Sequence, residues 1–115
     1  MKVDTVEKRI VDVERNFSVT FVEKYFPIAT AGMDLMIGEN GKEYWWLARV
    51  VVRKEHRMKG LGRKLLDELK KKAKGIKIVV CPGGYDITQK EQFTFYRKMG
   101  FVETEEGSME WMEKA

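Results

Sequence analysis

The chain reads as one mixed α/β (α+β) domain on a central mixed β-sheet, and three observations lead there. Between Tyr44 and Phe101 the hydrophobic pattern runs strand, helix, strand, helix. That is a βαβα unit whose two strands are parallel neighbours joined by a right-handed crossover. Before it, two apolar runs flank Glu39-Asn40-Gly41-Lys42, and Asn-Gly is the strongest short hairpin signal. After it, "FVETEEGSMEWMEK" turns around Glu106-Gly107-Ser108 as a second hairpin. Hairpins on either side of a parallel pair make the sheet mixed. A length of 115 residues fits a single domain over 1–115.

The N-terminal third, to about residue 30, is the least readable part. Val3, Val6, Ile10, Val13 and Phe17 are spaced 3, 4, 3, 4, which predicts a helix. "FSVTFVEKYFP" fits a strand or a short helix ending before Pro27. Tyr44 to Val52 is apolar at nearly every position except Arg49, as in a strand buried on both faces. A helix follows from Arg57 to about Lys74, with Leu61, Leu65, Leu66 and Leu69 along one face and Gly75 closing it. "IKIVVCP" is a buried strand. "ITQKEQFTFYRKMGF" is a second helix, with Phe93, Tyr96 and Met99 at helical spacing and Gly100 ending it.

Composition removes several classes. No apolar run approaches the roughly 20 residues of a membrane span. "MKVDTVEKRI" has no continuous apolar stretch of the kind a signal peptide carries, so a cytoplasmic protein is expected. The single cysteine, Cys81, excludes an internal disulfide. With one histidine, His56, far from that cysteine, zinc has no ligand set and no metal is expected. The net charge of +4 is unevenly spread: Arg53 to Lys77 holds eleven Lys/Arg against three acids. Such a block suits a phosphate-bearing partner, either a cofactor or a nucleic acid.

The chemistry concentrates in Arg57-Met58-Lys59-Gly60-Leu61-Gly62, just after the strand ending at Val52. First-turn N–H groups of a helix lack partners and the macrodipole adds positive charge, so a glycine turn there makes an anion site. Gly60 and Gly62 remove Cβ atoms that would hold a phosphate away from those N–H groups. The dinucleotide fingerprint fails because Leu65 stands where its third glycine belongs, and no P-loop run exists. What remains is R-x-x-G-x-G, which resembles the pyrophosphate-binding motif of the GNAT superfamily of acyl-CoA N-acyltransferases. "FYRKMGF", Phe95 to Phe101, resembles the second signature of that family, and the resemblance extends from Tyr44 to Trp111.

The resemblance implies a sheet whose parallel strands Tyr44–Val52 and Ile76–Cys81 splay apart, with helices on both faces. Acetyl-CoA would be the cosubstrate. Backbone groups of Val50, Val51 and Val52 would run beside its pantetheine arm. Its pyrophosphate would sit on Arg57, Met58, Lys59, Gly60, Leu61, Gly62 and Arg63. Gln89 stands where the family commonly has an Asn contacting pantetheine, and Gln92 where it has a small residue. Tyr96 stands at the place of the general acid that protonates the leaving thiolate; the plain alternative is a tyrosine that only packs. The two strand positions where some members carry a carboxylate base hold Trp46 and Cys81, which leaves water, Asp86 or Glu43 to take the amine proton. The implied reaction is direct attack by a primary amine, on a small molecule or a peptide or protein, without a covalent enzyme intermediate.

Other residues have plainer readings. Without a second histidine to activate it, Cys81 reads as a buried strand-end residue rather than a nucleophile. Lys70, Lys71, Lys72, Lys74 and Lys77 form either a solvated helix face or a nucleic-acid footprint; nucleic acid is not the expected partner, because no recognised module surrounds them. Trp45 and Trp46 point to opposite faces, Trp46 either walling the acceptor site or packing in the core. The short N-terminal segment leaves the acceptor side open or has a second copy of the chain complete it. The competing class is a non-catalytic basic module that binds coenzyme A or nucleic acid on the same fold.

Overall fold

The computed structural model describes residues 6–83 and 87–113. Seven strands form one sheet, β1 Val6–Val13, β2 Asn16–Glu23, β3 Phe26–Ile37, β4 Glu43–Val52, β5 Ile78–Val80, β6 Val102–Glu103 and β7 Met109–Trp111. Helix α1, Leu61–Ala73, joins β4 to β5, and α2, Gln89–Lys98, follows β5. The strand order is β1-β2-β3-β4-β5-β7-β6. β4 and β5 are the parallel pair, and every other neighbouring pair is antiparallel. The mixed sheet, both hairpins and the βαβα unit stand as the sequence indicated. No helix among the described residues is long and apolar enough to cross a membrane.

The N-terminal third is different from the expectation: a strand hairpin replaces the helix. β2 buries Phe17, Val19 and Phe21, every second residue, which is the period of a strand with one face inward. β1 is an edge strand exposed along its whole length. Its apolar residues fall on both faces, Val6 and Ile10 on one, Val11 and Val13 on the other. That mixture is what imitated a 3–4 spacing.

β4 also departs from the expectation. Trp45 and Leu47 enter the core, but Arg49 and Val51 are exposed, while Val50 and Val52 are half-buried against the core. The phase changes because the register passes from Met33↔Leu47 to Gly32↔Arg49, leaving Ala48 as an extra residue on β4. A bulge of this kind re-aims the side chains that follow it. An unbroken apolar run cannot reveal it, since Val at every position reads the same in either phase.

The core is one cluster in which both helices take part. α1 contributes Leu61, Leu65, Leu66, Leu69 and Ala73, packed on β2, β3 and β4. Tyr96 of α2 joins them, with Met99, Phe101 and Met109. Fully burying one such side chain stabilises the fold by about 1.5–3 kcal/mol. α2 also touches α1 directly: the Phe95 ring lies against Gly62, and Lys70 Nζ donates to the Met99 carbonyl.

Candidate functional site

β4 and β5 pair at only two positions, Trp45↔Ile78 and Trp46↔Val79. β4 then continues for six residues, Leu47 to Val52, past the last paired position, so the two strands part there and no described strand pairs with the second half of β4 on this side. The bulge at Ala48 sits where the two strands part.

The chain leaves β4 through a short 3₁₀ turn, Lys54–His56, and reaches α1 by a loop of unusual backbone. Met58 has φ +67° and is fully exposed; Gly60 has φ +80° and is the N-cap of α1. A non-glycine residue in the left-handed region costs about 1–2 kcal/mol, and it persists where the surrounding structure holds it. Left-handed residues alternating with ordinary ones turn successive N–H groups inward, the geometry of an anion-binding nest. Arg57 ties this loop to the strand end, its Nε donating to the Val52 carbonyl at 3.0 Å.

The two helices treat their N-termini differently. Thr88 caps α2: Glu91 N–H donates to Thr88 Oγ1 at 3.1 Å and Thr88 N–H to Glu91 Oε1 at 3.3 Å, a complete capping box. α1 has no side-chain cap and no acid in its first turn. The N–H groups of Leu61, Gly62 and Arg63 meet no backbone acceptor among the described residues, and Arg57, Lys59, Arg63 and Lys64 are their neighbours in sequence. One helix end is closed by its own side chains; the other has no side-chain cap.

The predicted loop residues, Arg57 to Arg63, follow the end of β4, and Arg57 is bonded back to Val52. The helix itself begins at Leu61, four residues later than Arg57. The glycines play separate parts. A Cβ on Gly60 would meet nothing within 4 Å, so its side opens outward. A Cβ on Gly62 would stand 3.1 Å from the Phe95 ring, so that glycine makes room for α2 rather than for a phosphate.

Tyr96 is 5% exposed between Phe95 and Phe101, with ring centroids 5.2 and 5.3 Å away. Its hydroxyl makes no hydrogen bond to a described residue, and burial pushes its pKa up to about 12. This has a stability consequence. A tyrosine ionises near 10 in the unfolded chain, so between about pH 10 and 12 only the unfolded state loses this proton. Stability is full below pH 10 and falls as pH rises toward 12, by about 2–3 kcal/mol. Urea midpoints measured at pH 9 and 11.5 should show that fall, and Tyr96→Phe should remove this part of it.

Gln89 and Gln92 clamp the segment after β5. Gln89 Nε2 donates to the Pro82 carbonyl at 3.0 Å, and Gln92 brackets Gly83, accepting from its N–H at 3.2 Å. The amide N–H₂ of Gln89 is thus held by the chain itself. Glu43 does not join the site: it begins β4, on the paired side of the opening, and faces Arg15 at 3.3 Å. Asp86 lies outside the described residues. Cys81 is exposed, not buried, because β5 ends at Val80. His56 leans on β2, 3.9 Å from Glu23. Trp45 is core, with its Nε1 unpartnered, and Trp46 lies half-buried on the other face.

The lysine run is largely occupied. Lys70 holds the Met99 carbonyl and covers the Trp111 ring, and burial lowers its pKa. Lys72 pairs with Asp12 and Lys77 with Glu110. The surface depression of about 630 Å³ along α1 mixes lysines with Asp67, Glu68 and Glu113 and includes none of the loop glycines. Neither feature is a continuous cationic stripe.

A strand that parts from its parallel neighbour and leads to a helix start without a side-chain cap describes a mixed α/β domain. Residues 20–103 match the family model of the acetyltransferase (GNAT) domain, and the chain belongs to that family. No curated protein matches it. Among solved structures, the Bacillus subtilis N-acetyltransferase YlbP in complex with coenzyme A is similar, at 16% identity and TM-score 0.65, over 84% of this chain and 67% of that one. PaiA N-acetyltransferase from Thermoplasma acidophilum, also with coenzyme A, is 23% identical at TM-score 0.64, over 86% and 62%. Arabidopsis thaliana Naa50, in complex with the bisubstrate analogue CoA-Ac-MVNAL, is 16% identical at TM-score 0.61, over 85% and 72%. At these identities the likeness is one of fold.

Proposed function

We propose that this protein transfers an acetyl group from acetyl-CoA to a primary amine, by direct attack within a ternary complex. The observation that carries this reading is the uncapped, glycine-turned start of α1 at the mouth of the β4–β5 opening. The pyrophosphate would rest on the amides from Met58 to Arg63 and the pantetheine arm would follow Val50 to Val52 into the opening. The coenzyme A complexes of YlbP and PaiA support that choice of ligand. The amine lone pair attacks the thioester carbon, the new C–N bond forms, and the C–S bond breaks. The thiolate leaves toward Tyr96, whose hydroxyl donates to it, and the amine proton passes to water.

Where water takes that proton, the acceptor's own acidity matters. An α-amino group with a pKa near 8 has about 10²-fold or more of its population neutral at pH 7 compared with a lysine near 10.4. A peptide N-terminus is therefore the favoured acceptor, and the peptide-bearing analogue bound to Naa50 is consistent with it.

The test is thermal unfolding with acetyl-CoA, with ATP as a polyanion control, followed by thiol release with peptide amines. At about 100 times its Kd, acetyl-CoA adds roughly 2.7 kcal/mol, a shift of several degrees. A shift with acetyl-CoA and not ATP supports the reading. Equal shifts, or none, would sink it and leave a basic scaffold.

A further inference from the structure

β1 is the outer edge of the sheet, with no neighbour on its free side among the described residues. An open edge presents a row of unpaired N–H and C=O groups, and natural sheets guard such rows with proline, bulges, short strands or free charges. Of these guards β1 has only charged side chains, Glu7, Lys8, Arg9 and Asp12. It runs eight residues, pairs with β2 at every position without a bulge, and contains no proline. Val6, Ile10, Val11 and Val13 remain 41–56% exposed. Its charges are drawn back onto its own protein: Lys8 to Glu68 at 3.0 Å, Asp12 to Lys72 at 3.0 Å, and Arg9 to Glu7 at 2.9 Å. Lys8, Ile10 and Asp12 share the face that α1 covers.

We propose that β1 pairs antiparallel with β1 of a second copy of this chain, with Ile10 opposite Ile10 on the two-fold axis, joining two sheets into one. The sequence selects both partner and register. In this register Lys8 lies opposite Asp12 on each side of the axis. Behind them stand Glu68 and the second copy's Lys72, so one row reads acid, base, acid, base. Opposite charges facing across strands are stabilising and like charges destabilising. Sliding by two residues one way puts Arg9 against Arg9 on the axis. Sliding by two the other way sets Lys8 opposite Glu14, beyond the strand end. A slip of one residue would turn the second copy over and break the two-fold relation, because side chains alternate faces. Parallel pairing in register would stack Lys8 on Lys8 and Asp12 on Asp12. Both α1 helices then lie on the same side of the joined sheet.

Sedimentation velocity at ~100 µM protein, a regime in which weak self-association is populated by mass action, should give twice the 13.5 kDa chain mass. Added salt should shift the population toward the single chain, because the paired charges are partly exposed. Ile10→Lys sets two ammonium groups face to face on the axis and should sediment as a single chain with near-normal thermal unfolding. Val51→Lys, an exposed apolar position on β4, should still self-associate. Hydrogen exchange of wild-type β1 amides should slow as protein concentration rises, which tests the edge even where a variant folds poorly. A wild type of single mass at ~100 µM, a dimeric Ile10→Lys, or β1 exchange independent of concentration would each overturn the proposal.

Discussion

Tyr96→Phe should lower kcat by about 10²–10³-fold, the range for removing one hydrogen-bond donor to developing negative charge, while acetyl-CoA affinity changes less than about two-fold. The ring slot between Phe95 and Phe101 accepts phenylalanine unchanged, so the variant isolates the hydroxyl. Burial makes that hydroxyl a weak acid, with a pKa of about 12. A thiol titrates near 8.5, so complete transfer of the proton to a free thiolate is uphill by about 3.5 units, or roughly 5 kcal/mol. Under the proposed reaction the phenol would therefore serve chiefly as a hydrogen-bond donor to charge developing on sulfur, with solvent completing the protonation. This predicts a pH profile with no tyrosine limb between pH 6 and 9, and Tyr96→Phe should lower the whole curve without moving it. Stopped assays of thiol release with a peptide amine measure both quantities. An unchanged kcat would reduce Tyr96 to a packing residue.

The parts of the fold that were legible in the sequence are those with one buried face and clear punctuation. α1 announces itself through Leu61, Leu65, Leu66 and Leu69, and α2 through Phe93, Tyr96, Met99 and the closing Gly100, because one-sided burial imposes a period. β1 imposes none: exposed on both faces, it carries apolar residues wherever its outer edge or its neighbours favour them. Ala48 was hidden for a related reason, since a bulge in a run of apolar residues changes no letter. Cys81 looked buried because it extends an apolar triplet, yet the ladder to β7 ends at Val80. For the site, the glycine loop was legible as a motif, but the division of labour within it was not. Nothing local in the sequence says that Phe95, more than thirty residues away, lies against Gly62.

That division gives the second large effect. Gly60→Val should weaken acetyl-CoA binding by about 100-fold and lower stability only modestly. At φ +80° a β-branched residue is strained by about 1–2 kcal/mol. Its side chain enters open space, and with the pyrophosphate on the α1 amides as proposed it would hinder the approach of a phosphate. Losing two charge-assisted hydrogen bonds of about 1.5 kcal/mol each amounts to about 3 kcal/mol, or ~100-fold in Kd. Gly62→Val should show the reverse balance. Its φ is ordinary, but the added carbons collide with the Phe95 ring at 3.1 Å, so α1 and α2 must part, and overpacking of this kind costs about 1–3 kcal/mol. Calorimetric titration with acetyl-CoA and thermal unfolding of both variants separate the two causes: affinity falls furthest at Gly60, and the melting temperature at Gly62. Pairing Gly62→Val with Phe95→Ala should recover stability, because the collision disappears with the ring. If Gly60→Val bound acetyl-CoA as tightly as wild type, the anion would have to lie elsewhere on the basic block, and the strained loop from Met58 to Gly60 would need another cause.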